Sequence, residues 1–274
     1  MTLGVIVSLR PSMEEEFRRI RDFGLHHVQL CTWNPGLYSD ELAAVVAEQM
    51  KRLGIHVTTF WAGYSGEVAW NFTRGPETLG LVPQPTRAQR VEDLCRASDF
   101  AKALGVDQIA THMGFIPEVG AYDAQYADII AAIRQVAQHC KRNGQWLLFE
   151  TGQETPTTLA RCFADVGEDN LGINLDPANL ILYGKANAVD AVDLLGPWVR
   201  DVHAKDGLYP TDGRNLGKET RIGDGKVNFP ALLTKLHRQG YDGPITIERE
   251  ISGEEQNRDI RYAVEFLSGI MASW

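Results

Sequence analysis

Residues 146–176 read WLLFETGQETPTTLARCFADVGEDNLGINLD, and the fold is decided there. Trp146–Thr151 is a short apolar run closed by a glutamate, Thr157–Val166 has helical spacing, and Gly172–Asp176 is a second apolar run closed by an aspartate. Short apolar runs joined through a helix are the pattern of parallel strands covered on both faces. A buried charge at the end of such a strand is costly unless something compensates it. The chain repeats the arrangement twice more, with His203 closing Val-Arg-Asp-Val-His and Glu248 closing Pro-Ile-Thr-Ile-Glu.

Outward from this unit, strand-like and helix-like segments alternate along the whole chain. Strands are expected near 5–9, 27–32, 56–61, 108–113, 146–151, 172–176, 199–204 and 245–250. Helices are expected near 13–23, 39–53, 87–104, 123–143, 157–166, 187–195, 230–239 and 254–272. Gly24, Gly54, Gly105, Gly144 and Gly240 follow helical patterns where a left-handed C-terminal glycine belongs. Eight βα units without a break in composition predict a (β/α)8 TIM barrel, one domain over residues 1–274. A doubly wound open sheet is the alternative, but the Gly-rich phosphate fingerprint is missing after the first strand. Two long stretches, 63–86 and 207–228, both follow strands and therefore belong to the rim where barrel active sites form. They read as lids or substrate walls.

The formal net charge of −9 argues against a nucleic-acid partner, which calls for a basic surface. No run approaches the roughly 20 apolar residues of a membrane span. Cys31, Cys95, Cys140 and Cys162 form no close pair, as expected of a reduced, cytoplasmic protein. The short apolar run Leu3–Leu9 has no basic segment before it and reads as a first strand, not a signal peptide.

Side chains alternate along a strand, which tests the direction of each closing residue. Leu147 and Phe149 oppose Trp146, Leu148 and Glu150; Ile173 and Leu175 oppose Gly172, Asn174 and Asp176. Val202 and Ala204 oppose Asp201, His203 and Lys205, and Ile245 and Ile247 oppose Thr246, Glu248 and Glu250. With the apolar faces under the helices, Glu150, Asp176, His203 and Glu248 all point inward. Three carboxylates brought together repel one another unless a cation neutralises them. Three carboxylates and an imidazole suit one divalent ion such as Mg²⁺, Mn²⁺ or Co²⁺, with Zn²⁺ also compatible.

The runs LLFETGQETP, LGINLDPANLILYG, VRDVHAKD, IGDGKVNFPALL and GYDGPITIERE resemble the sugar phosphate isomerase/epimerase family. This is the xylose-isomerase-like TIM barrel group, which includes ketose 3-epimerases, inosose dehydratases and endonuclease IV-type enzymes. The resemblance is concentrated between residues 145 and 251; in the first half only Ala-Thr-His112-Met-Gly stands out. It implies metal ligation by Glu150, Asp176, His203 and Glu248. It also implies that Glu150 and Glu248 are catalytic, one taking a proton beside a carbonyl and the other returning one through a cis-enediolate. It further implies a small sugar substrate and a homo-oligomer, dimer or tetramer. The epimerases carry a histidine three residues after the metal-binding aspartate, where this chain has Asn179. Arg221 matches a substrate-contacting arginine, and Glu154 is a loose match for a second substrate-contacting glutamate.

Other residues keep two readings. His112 fits a substrate contact and equally a satisfied core histidine. Lys205 fits an anchor for an anionic oxygen, or a partner of Asp201 and Glu248. Glu250 competes with Glu248 as ligand; the Asp242-Gly243-Pro244 alignment favours Glu248 and leaves Glu250 to a nearby base. Trp33, Trp61 and Trp70 fit a sugar-stacking wall as well as core packing, and Trp61 is taken into the substrate site. Gly223-Asp224-Gly225 is a weak likeness of a phosphate loop. The leading function is a divalent-metal-dependent sugar isomerase or epimerase. An inosose-type dehydratase could use the same site, and an endonuclease of abasic DNA would need a richer metal set than this chain shows.

Overall fold

The computed structural model describes residues 1–274. Ten strands form: β1 (Thr2–Ser8), β2 (His27–Thr32), β3 (His56–Ala62), β4 (Gln108–Thr111), β5 (Trp146–Glu150), β6 (Leu171–Leu175), β7 (Val199–Ala204), β8 (Asp206–Leu208), β9 (Lys218–Thr220) and β10 (Pro244–Ile247). Eight of them close a parallel barrel in the order β1-β10-β7-β6-β5-β4-β3-β2, and β8 and β9 pair as an antiparallel hairpin on the rim. The helices are α1 (Glu14–Asp22), α2 (Asp40–Leu53), α3 (Gly75–Thr78), α4 (Gln84–Ala103), α5 (Tyr126–Arg142), α6 (Pro156–Val166), α7 (Pro177–Leu182), α8 (Ala188–Leu195), α9 (Phe229–Arg238) and α10 (Glu254–Met271). This is a (β/α)8 barrel. No helix is long and apolar enough to cross a membrane.

Strand parity sorts the core. The outward residues Leu147, Phe149, Ile173, Leu175, Val202, Ala204, Ile245 and Ile247 join a main core of 64 buried residues, between sheet and helices. Inside the barrel, only Trp61, Ala110 and Leu148 make a buried apolar cluster. Most of the hydrophobic stabilisation therefore lies outside the sheet, which leaves the barrel interior free for polar side chains. The five helix-ending glycines expected from the sequence all take positive φ, from 63° to 87°.

Several boundaries differ from the sequence expectation. Strands β4, β5, β6 and β10 stop at Thr111, Glu150, Leu175 and Ile247. His112, Asp176 and Glu248 thus lie just past the strand ends, where the chain leaves the ladder. Helix α4 starts three residues earlier than expected, behind Pro83, and α5 starts later, after a short 3-10 turn. The unexpected α7 arises because Asp176 caps it and Pro177 occupies its first turn, where a missing N–H costs nothing.

The two long rim stretches meet. Phe72 N donates to Arg214 O at 2.9 Å, and Asn71 bridges Asn215. The first stretch is bolted to α4. The buried Arg90 guanidinium donates to the carbonyls of Ser65, Glu67, Thr78 and Gly80, and lies over the Tyr64 ring. These loops form a fixed wall on the C-terminal face of the barrel.

Candidate metal centre and active site

Glu150, Asp176, His203 and Glu248 converge, each offering an atom within 4.8 Å of the others'. His203 Nδ1 lies 3.3 Å from Glu150 Oε1, 3.7 Å from Asp176 Oδ2 and 3.0 Å from Glu248 Oε2. Donors bonded at about 2.1 Å to one ion stand roughly 3.0–3.4 Å apart, so the spacing is of the right size. Nδ1, Asp176 Oδ2 and Glu248 Oε2 are also buried with no partner in hydrogen-bonding geometry. Three bare polar atoms aimed at one point are expensive in a protein interior. The donor set fits a divalent cation.

The surrounding residues aim the donors. Asp176 Oδ1 accepts from Asn179 N at 2.8 Å, so the cap of α7 fixes one oxygen and turns the other toward His203. His203 Nε2 lies 2.8 Å from Gln29 Oε1 and 3.0 Å from Asn174 Nδ2, so these two amides fix the ring and turn Nδ1 toward the carboxylates. Gln29 is held in turn by Asp201 at 3.0 Å, and Asp201 accepts from Thr59 at 2.6 Å and Thr246 at 2.9 Å. Asp201 therefore belongs to the barrel floor, away from the Lys205 pairing considered for it.

The two glutamates are held differently. Glu150 Oε2 accepts from the Trp61 indole N–H and faces His112 Nε2 at 3.3 Å; Oε1 accepts from Asn179 Nδ2 at 3.2 Å. Burial would push the Glu150 carboxyl up, but His112 and His203 beside it bring it below its ordinary value. Burial likewise opposes ionisation of Glu248, and Lys205 and His203 hold it well below the usual range. Lys205 Nζ lies 3.4 Å from Glu248, 3.6 Å from Asp176 and 3.2 Å from Glu250. Burial opposes its charge, yet these carboxylates raise its pKa well above normal, so it remains an ammonium group. His203 is raised in the same way by Glu248 and Glu150 against burial, and its proton stands where a cation would.

These groups border a cavity of about 310 Å³. Its lining combines the charged Glu150, Glu248, Lys205 and Glu250 with the aromatic Trp33, Trp61, Trp70 and Tyr183, and with His112 and Asn179. Of the residues the sequence put forward, Arg221 is not brought in. It pairs with Asp224 at 3.1 Å, stacks on Tyr262 at 4.2 Å and does not line the cavity. Glu154 is buried outside the cavity lining as well.

The Gly223-Asp224-Gly225 turn already holds an anion of its own chain. Asp206 accepts from the backbone N–H groups of Gly223, Gly225 and Val227 at 2.9–3.1 Å. A Cβ on Gly225 would lie 2.0 Å from Asp206 Oδ1, so this approach requires glycine. Asp206, Gln29 and Arg90 were not anticipated as supports. The available signal was a polar side chain facing inward in an otherwise apolar strand, as Gln29 is in His-Val-Gln-Leu-Cys-Thr.

The sequence profile of the xylose isomerase-like TIM barrel matches residues 17–270. The chain belongs to this family. A xylose isomerase domain protein from Planctomyces limnophilus is 35% identical, with a TM-score of 0.92 over 98% of this chain and 96% of that one. A D-tagatose 3-epimerase-like protein shares the fold at 20% identity and a TM-score of 0.75, covering 99% and 97%. A probable 3-DHS dehydratase from Bacillus anthracis shares it at 16% and 0.72, covering 97% and 98%. Among curated proteins, an uncharacterised Methanocaldococcus jannaschii protein is 28% identical over 189 residues, 65% of this chain. That match spans 60% of the relative's length.

Proposed function

We propose that this protein is a divalent-metal-dependent isomerase or epimerase of a small ketose or related polyol, working by proton transfer through a cis-enediolate. The reading is carried by one observation. Glu150 at the end of β5 and Glu248 just past the end of β10, three strand positions apart around the barrel, reach the same imidazole nitrogen and border the same cavity.

Glu150, Asp176, His203 and Glu248 would hold the ion, whose Lewis acidity acidifies the C–H bond beside a bound carbonyl. The protein supplies the proton carriers. Glu150 and Glu248 approach the substrate carbon from different walls, so one removes a proton and the other returns one to the opposite face. Lys205 gives a fixed positive charge beside Glu248 for the developing oxyanion. Trp61, His112 and Asn179 hold Glu150 in place, and the rim stretches shield the site from water. The substrate partner is a small sugar, in keeping with a family of sugar-processing barrels.

The test is incubation of the Mn²⁺-loaded protein with a ketose panel in D₂O. Deuterium at the carbon next to the carbonyl, with an epimeric or isomeric ketose as product, is expected. Absence of exchange from every ketose would overturn the proposal.

Dehydration is the second reading, and His112 favours it. Its ring lines the cavity beside Glu150, where a general acid for a departing hydroxyl would be needed. Lys205 is less suited, because the carboxylates around it hold its proton. Product mass separates the two, since only the dehydratase loses water.

A further inference from the structure

Three tryptophans form a wall that continues past the chemistry. Trp61 is 5% exposed and bonds Glu150. Trp33 lies 4.8 Å from it, ring to ring, and Trp70 a further 5.8 Å from Trp33. Trp33 and Trp70 are 41% and 42% exposed, so the wall rises from the donor cluster to the mouth.

These outer rings are held firmly. Trp33 packs edge-on against Tyr64 at 5.4 Å, and the Tyr64 hydroxyl accepts from Gly80 N at 2.7 Å while its ring lies beneath Arg90. Gly63 leaves room for the indole, since a Cβ there would lie 2.6 Å from Trp33 Cε3. Trp70 sits on the stretch joined to the opposite rim through Asn71 and Asn215. Large apolar faces fixed at a cavity mouth are surfaces for a ligand with a flat apolar side.

The charges restrict that ligand. No arginine lines the cavity, and its one lysine is surrounded by Asp176, Glu248 and Glu250. Within the cavity lining a phosphate or carboxylate would meet Glu150, Glu248 and Glu250, and no cation free of them. A cavity of about 310 Å³ reaches the size range that holds drug-sized ligands.

We propose that the site accepts a two-ring substrate, with a keto-sugar at the four-donor cluster and a second, uncharged sugar ring against Trp33 and Trp70. This rests on the carbohydrate reading above and adds the substrate class. The apolar C–H face of the outer ring lies against the indoles, while its hydroxyls remain in water.

Calorimetric titration of the Mn²⁺-loaded protein tests it, with D-fructose, turanose, lactulose, isomaltulose and fructose 6-phosphate as probes. The three disaccharides carry an uncharged ring on different fructose oxygens. At least one is expected to bind about tenfold more tightly than fructose. Its advantage should disappear in Trp33→Ala or Trp70→Ala and persist in Trp70→Phe. Fructose binding as tightly as every disaccharide, fructose 6-phosphate binding tightest, no binding by any probe, or an advantage surviving both alanine variants would overturn it. Deuterium exchange into free ketoses by the same preparation reports separately on the proposed reaction, so either idea can fail alone.

Discussion

The Trp61 indole N–H donates to Glu150 Oε2 across the barrel, from β3 over the small side chain of Ala110 to the end of β5. Glu150 thereby keeps one oxygen fixed while the other turns to His203. A hydrogen bond to a charged group contributes about 1.5–3 kcal/mol. Trp61→Phe keeps the ring and removes the donor, so kcat should fall about 10- to 100-fold. Circular dichroism should show the barrel intact. Unchanged kcat in a folded variant would mean that this bond does not position Glu150 for chemistry.

The donor cluster makes stability depend on metal. Glu150, Asp176 and Glu248 crowd around His203, and a bound cation would relieve their repulsion. Ion at 100 times its Kd should add about 2.7 kcal/mol to the folded state. Thermal melts after chelation and after adding back Mg²⁺, Mn²⁺, Co²⁺ or Zn²⁺ measure this. Asp176→Asn should remove most of the increase. If no ion raises the melting temperature of the native sequence, the cluster is not a metal site.

The barrel is legible because each βα unit carries its own signal: an apolar run, a helical period and an αL glycine. Inward direction follows from parity alone, which is how Glu150 and Glu248 can be placed together although 98 positions separate them in the numbering. What parity cannot give is contact across the barrel. The Gln29–His203 and Trp61–Glu150 bonds depend on strand stagger and on the size of intervening side chains such as Ala110. Asp176 shows an intermediate case. Asp-Pro is a helix-start signal, yet its place at the end of an apolar run makes it read as the last strand residue. Arg221 sits in a matching motif but is claimed by Asp224 and Tyr262, which no motif comparison reveals.

Glu154 gives the protein a pH dependence unrelated to the metal ligands. It is 1% exposed, and both carboxyl oxygens lack hydrogen-bond partners. Burial pushes its pKa up to about 8 from an ordinary 4.5. Between these values the folded state holds a proton that the unfolded chain has released, so stability falls as pH rises through this window. The slope from this group approaches about 1.4 kcal/mol per pH unit near the middle of the window. Denaturant melts of Glu154→Gln should show a flatter stability profile between pH 5 and 8 than the native sequence. Equal slopes would mean that Glu154 finds a partner or ionises freely.

Arg90 is the bolt of the tryptophan-bearing wall. Its guanidinium satisfies carbonyls at residues 65, 67, 78 and 80. Arg90→Leu fills similar space but strands those acceptors, at a cost of about 3 kcal/mol or more. The loss should fall first on the stretch between β3 and α4, because the barrel strands do not depend on this side chain. Hydrogen exchange should therefore accelerate at residues 65–80 before it does in β5 or β6, and KM should rise more than kcat falls. Arg90→Lys, with one point charge in place of a planar fork, should recover only part of the protection. Uniform acceleration across the barrel would instead assign Arg90 to global stability.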